Sequence, residues 1–302
     1  MSKFLETLAG KLADRWLTLL VLPGALYLVT AIAAASLGHD GWYRVDVLYR
    51  DLTKIAAEPA TRNPGTIALA LAGVLATAAA LGILDQALGS MFHAIWFGSS
   101  RGPLTRALTR RRVRRWDAAN ERVREASVAA ARAQVADEPD AAALLRTAEE
   151  LSAARNAISL VRPARPFTAG DRLAAADQRV LKHYGLDLVS AWPRLWLVLP
   201  DASRAALQEA NAAVTAAERL AGWAVAYLAL TTLWWPAALI GVVCLTVAWR
   251  RATSAAAVLA DLAEAVIDIH GRALAESLGI SSEGPFGKET GAAITAVLRK
   301  GI

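Results

Sequence analysis

A chain of 302 residues that is 55% hydrophobic and only 20% charged departs from ordinary globular composition, which is about 45–50% apolar and about 25% charged. With a mean hydropathy of +0.34, it reads as a membrane protein before it reads as a soluble domain. The single cysteine, Cys244, excludes an intrachain disulfide and a multi-cysteine zinc site, and four scattered histidines offer little for metal coordination.

At the start, Phe4, Leu5, Leu8 and Leu12 recur at helical spacing opposite Lys3, Glu6, Lys11 and Asp14, the pattern of an amphipathic helix lying in a membrane interface. Trp16 to Gly38 then carry no charge over 23 positions, enough for the roughly 20 residues a helix needs to cross the hydrocarbon core. A secretory signal competes for this segment, helped by Ala33-Ala34-Ala35. The stretch is too long for a signal's apolar region, however, and Glu6 and Asp14 precede it, so a retained anchor is expected, loosened at Pro23-Gly24. The loop 39–62 balances Arg44, Arg50, Lys54 and Arg62 against Asp40, Asp46, Asp51 and Glu58.

A second uncharged run covers Asn63 to Leu84; Asp85 follows, and then an uncharged run from Gln86 to Ser100. Asp85, Gln86, Ser90 and His93 are the polar residues of this stretch and the candidates for lining a pore, with Asp85 and His93 on roughly one helical face. Two registers are open. If the embedded part centres near residue 85, an ionisable group at the midplane costs at least a few kcal/mol and implies a pore or proton path. If the span begins at Gly65, Asp85 reaches the inner headgroups and is ordinary. Ala68, Ala72, Ala76 and Ala80 repeat every four residues along the span and permit close helix contact, within a protomer or between protomers.

Arg101, Arg106, Arg110, Arg111, Arg112, Arg114 and Arg115 contribute +7 with no acid among residues 101–115, in a chain whose total is +6. Directly after an apolar segment, such a cluster is a cytoplasmic topogenic signal and a contact for anionic lipid headgroups. No aromatic platform or nucleic-acid-binding motif accompanies it, which argues against nucleic acid as a partner. The same bias puts the N-terminus and residues 101–219 in the cytoplasm and the loop 39–62 outside.

From Arg101 to Leu160 the pattern is alanine-rich and helical with a break at Asp137-Glu138-Pro139-Asp140, predicting two antiparallel helices. Arg162-Pro163-Ala164-Arg165-Pro166 is a stiff linker. Asp171 is placed to cap a helix running to about His183, with Gly185 closing it in the left-handed conformation. Leu186 to Pro200, interrupted by Pro193, is too short to span; Trp192 and Trp196 on one face suit the headgroup layer, and a buried soluble core suits them equally. Leu220 to Trp249 is uncharged for 30 residues. One kinked span would send the C-terminus outside, whereas a hairpin turning at Trp234-Trp235-Pro236 would return it. The hairpin is preferred because Pro236 suits a first helical position, the tryptophans suit an outer interface, and Arg219 and Arg250-Arg251 suit cytoplasmic stops, although each leg is short. A helix over Ala252 to Leu278 follows, with Val258, Leu262, Val266 and Ile269 on one face. Its Asp261, Glu264 and Asp268 form an acidic stripe near His270, either solvated or a docking surface for the arginines. Gly279 ends it, before a last short helix bearing Ile294, Val297 and Leu298.

No HExxH, phosphate-binding glycine loop, G-x-S-x-G or CxxC pair is present, so neither an enzyme nor a cofactor is expected. The whole reads as an all-α, multi-pass helical membrane protein with a cytoplasmic helical domain. Residues 1–100 hold the interfacial helix and two transmembrane spans, 101–219 a cytoplasmic helical region, 220–249 a membrane hairpin and 250–302 cytoplasmic C-terminal helices. It is placed in the inner (plasma) membrane with both termini cytoplasmic. The expected function is a homo-oligomeric channel or pore gated or assembled by its cytoplasmic helices, the alternative a membrane-anchored scaffold or sensor that recruits a cytoplasmic protein partner.

Overall fold

The computed structural model describes residues 21–57, 63–98, 102–281 and 284–299. The expected amphipathic helix around Phe4 to Leu12, residues 16–20 of the expected first span, and Arg101 lie outside them. Among the described residues the fold is all α, with no strand, in ten helices: α1 (Leu22–Leu37), α2 (Val45–Ala57), α3 (Pro64–Phe97), α4 (Pro103–Val135), α5 (Ala141–Ile158), α6 (Thr168–Tyr184), α7 (Leu188–Val198), α8 (Asp201–Leu230), α9 (Ala237–Ser277) and α10 (Lys288–Leu298). The chain divides into two compact units, Met1–Phe92 with Thr215–Arg250, and His93–Val214 with Arg251–Ile302. Both units are therefore discontinuous in sequence, and the four consecutive segments expected from the sequence join in alternate pairs.

In the first unit, α3 starts with a proline at its first position, where the missing N–H would be unpaired anyway, and Asn63 Oδ1 accepts the Gly65 N–H at 2.9 Å. Without a further breaker it continues for 34 residues, about 51 Å at 1.5 Å per residue. Among the described residues it is the helix long and apolar enough to cross a bilayer; α1 is apolar but has 16 residues. The loop expected at 39–62 contains α2, whose Asp46 and Arg50 pair across one turn at 2.9 Å.

The chain reverses between α8 and α9, the Trp234 N–H bonding to the Leu230 carbonyl and the Ala237 N–H to the Trp234 carbonyl, both at 3.1 Å. Beyond the turn, Gly241 lies so close to Leu228 that a β-carbon would overlap it and press on the Ala224 carbonyl at 3.1 Å. The path over 220–249 is thus two legs, not one kinked helix. Between its helices this unit buries Gly24 and Ala78, Ala34, Ala221 and Ala224, and the Tyr27 ring packs tilted against Trp223 and edge-on against Tyr227, at centroid distances of 5.8 and 5.4 Å. Leu22, Leu26 and Val29 of α1, Leu69 and Leu71 of α3, and Leu239 and Val243 of α9 point outward.

In the second unit, α4 and α5 form an antiparallel hairpin. Its turn at the predicted break holds Asp137 at φ +52°, and Ala130, Ala133 and Ala148 are buried. The other helices enclose a core of Leu186, Leu195, Ile267, Leu274 and Ile294. Gly185 closes α6 at φ +64°, as expected. The segment 186–200 is a core helix here: α7 buries Leu188, Ala191 and Leu195 and turns Val189 and Leu197 outward. Pro193 is tolerated because the carbonyl it leaves without a donor, that of Val189, is on the open side. The buried face of α9 is built from Ala252, Ala256, Ala260 and Ile267, whereas Val258 and Ile269 are exposed. Of the face bearing Val258, Leu262, Val266 and Ile269, Val266 is buried and Leu262 half-buried, while the alanines let neighbouring helices approach closely.

Candidate functional site

The four polar residues expected to act together on α3 separate. Asp85 is 2% exposed, and its Oδ2 accepts a hydrogen bond from Arg219 Nε of α8 at 3.3 Å. Its Oδ1 makes no hydrogen bond of ordinary geometry, although the Trp223 backbone N–H lies by the carboxylate, and it sits where a β-carbon on Gly222 would overlap it. Glu218, the neighbour of Arg219, is also buried. Gln86 and Ser90 lie on the exposed side of α3, the Ser90 hydroxyl donating to the Ala87 carbonyl at 2.7 Å. His93 is exposed and its ring lies 5.1 Å from that of Phe97. The eight-residue spacing of Asp85 and His93 does not bring them to one environment, since Asp85 faces α8 and His93 is exposed. Arg219, expected only as a topological stop, is the residue that engages Asp85.

The arginine cluster also divides. Arg112 turns inward: it donates to the carbonyls of Arg165 and Ile158, both at 2.9 Å, and pairs with the buried Asp171. Asp171 does not cap α6, whose N-cap is Phe167. From the first turn its Oδ1 accepts the N–H groups of Ala164 and Arg165 at 3.0 and 2.8 Å, so that it latches the proline-rich linker onto α4 through Arg112. Burial pushes the Asp171 carboxyl above its usual range, against the pull of Arg112 and the two N–H groups. Trp116, one turn beyond Arg112, donates from Nε1 to the Ser159 carbonyl at 2.9 Å, so a common face for Arg112 and Trp116 was the available signal that this arginine packs. Arg106, Arg110, Arg111, Arg114 and Arg115 stay exposed. Arg106, Arg110 and Arg114 share a groove of about 400 Å³ with Arg162, which Asp117 holds through two bonds of 3.0 Å. The Asp117 carboxyl lies below its usual range because of those bonds.

The acidic stripe of α9 serves α6. Arg179 donates to both carboxylate oxygens of Glu264, and the Tyr184 hydroxyl donates to Asp268 at 2.7 Å, which raises the tyrosine above its ordinary value. His270 lies 3.4 Å from the Ser203 hydroxyl. A cavity of about 950 Å³ opens between α6, α7, α8 and α9. Among the described residues no group of His, Cys, Asp and Glu is arranged to hold a metal ion. No protein-family model matches the chain, and comparisons with curated proteins and with solved structures give no match.

Proposed function

We propose that the chain is a membrane-anchored docking protein. In this reading the first unit is a multi-pass anchor in the inner membrane, and the second is a cytoplasmic helical body that meets a protein partner. The observation that carries it is the reversed polarity of the first unit. Small residues, aromatics and one ion pair are inside, while Leu22, Leu26, Leu69 and Leu239, each at least 60% exposed, are outside. In water such a surface is an aggregation liability, whereas in lipid it costs nothing and close packing of small residues holds the helices together. Asp85 stands 21 residues from Pro64 along α3, about 31 Å, the thickness of the hydrocarbon core. That register fits a lock at the inner boundary, and its engagement by Arg219 supports a structural role. The α4–α5 hairpin and its exposed arginines support contact with anionic headgroups or an acidic partner. Purified protein in liposomes is expected to pass no ions over a range of potentials and pH, with Asp85→Asn changing stability and not flux. A conductance altered by Asp85→Asn would overturn this.

A homo-oligomeric channel is the second reading, favoured by Gln86, Ser90 and His93, which lie exposed on an otherwise apolar helix and suit lipid poorly. On a Cys244→Ala background, Gln86→Cys would then cross-link between copies and Gln86→Leu would reduce flux. Monomeric protein in both detergent and liposomes would exclude it.

A further inference from the structure

The cavity of the second unit is walled by Leu173, Trp192, Trp196, Leu207, Leu259 and Ala263, with the two indoles 6.4 Å apart. Its volume of about 950 Å³ is at the upper end of what ligand sites enclose, and predominantly apolar walls with a few placed polar groups are the usual make-up of such sites. Two charges line it, Arg165 and Asp177. The Arg165 guanidinium donates to the Phe97 carbonyl and, among the described residues, lies within ion-pair distance of no carboxylate. The Asp177 carboxylate is partly buried and makes neither a hydrogen bond nor an ion pair among the described residues. Each feels the other through space only, and burial together with nearby Asp187 raises the Asp177 carboxyl above its usual range, the mark of a carboxylate short of positive charge. Gln178, Gln208 and Asn211 add amide groups to the same lining.

We propose that this cavity binds a single-tailed amphiphile with a zwitterionic head. The tail lies among the leucines and indoles. The anionic group of the head meets Arg165, whose planar fork suits phosphate, and the ammonium meets Asp177. Charge complementarity selects this occupant: an apolar helix from a partner would bring Asp177 no hydrogen-bond donor and Arg165 no anion, and an amphiphile of one charge would answer one and oppose the other.

The test uses three photoreactive amphiphiles with the same diazirine-bearing tail and phosphoethanolamine, phosphate or ammonium heads. Each is added to the full chain in nanodiscs, and cross-links are mapped by mass spectrometry. The phosphoethanolamine probe is expected to label α7 and residues 207–211 of α8 most strongly. Asp177→Asn should reduce its labelling about tenfold, the effect of one charge-assisted hydrogen bond, without reducing that of the phosphate probe. Arg165→Gln should do the same while sparing the ammonium probe. Leu207→Trp, which fills the cavity, should abolish labelling with helicity by circular dichroism unchanged. Equal labelling of wild type by all three heads, labelling confined to residues of the first unit, or labelling that persists in a folded Leu207→Trp protein would each overturn the proposal. The comparison of heads on the wild type needs no variant to fold.

Discussion

A methyl group on residue 222 has nowhere to go: it would overlap Asp85 Oδ1 and press on Leu88 Cβ at 3.2 Å. The atom it meets belongs to a charge already committed to Arg219, so retreat of the carboxylate loosens a buried pair. Gly222→Ala is therefore expected to destabilise by about 1–3 kcal/mol, as overpacking does, seen as a lower thermal midpoint in detergent. At Gly73 of α3 nothing lies within 4 Å, and the same substitution should lose no stability, since alanine is the better helix former by about 1 kcal/mol. Equal losses at both positions would mean that Asp85 is not the cause. A second residue-scale test is electrostatic and belongs to the second unit. Burial raises the Asp187 carboxyl, but bonds from Arg299 at 2.9 Å and from Ser190 outweigh it and hold the group below the usual carboxylate range. With a lowered folded value, the unfolded chain takes up protons first as the pH falls. The stabilisation is fully present above the ordinary carboxylate range and is lost as pH drops through the lowered value. The difference in thermal midpoint between wild type and Arg299→Gln should be constant near neutrality and shrink below about pH 4.

Among the elements, α4 carries two populations of arginine on one helix. Arg112 is mostly enclosed, at 16% exposure, by Asp171 and two carbonyls, and breaking such a pair from one side costs about 3–5 kcal/mol. Arg112→Gln should lower the thermal midpoint and leave lipid binding alone. The quadruple Arg110, Arg111, Arg114 and Arg115→Gln variant should keep its midpoint and retain fewer anionic lipids by native mass spectrometry, with the difference fading at high salt. If both variants lose lipid alike, the division is wrong. Features written in a few adjacent residues were legible in the sequence, such as the break at 137–140 and the left-handed closure at Gly185. What was not legible depends on distant chain. Leucines and tryptophans at helical spacing in α7 look alike whether they meet lipid or Leu274 and Ile294. The balanced charges of 39–62 suggested a loop, yet Asp46, Arg50 and Lys54 stand at helical spacing within α2. Nothing near Asp85 names Arg219, 134 residues away, and nothing in the arginine run marks Arg112 except its spacing from Trp116.

At the scale of the molecule, the threading expected from the arginines makes a labelling prediction. On a Cys244→Ala background, a cysteine at Asp40 should react with an impermeant maleimide on intact cells, and one at Ser281 only after permeabilisation. Reaction at Ser281 from outside would place the C-terminal helices on the wrong side and undo the two-leg path as a membrane hairpin. The discontinuity of the first unit also has a temporal meaning. A ribosome adding about 5–20 residues per second needs about 7–27 s to travel from Asp85 to Arg219. Throughout that interval the nascent chain carries a carboxylate whose Arg219 partner has not been made. Under the proposed membrane anchoring, the early segments wait for that partner at the membrane boundary. A chain arrested before residue 219 should remain extractable where one arrested beyond residue 250 has settled.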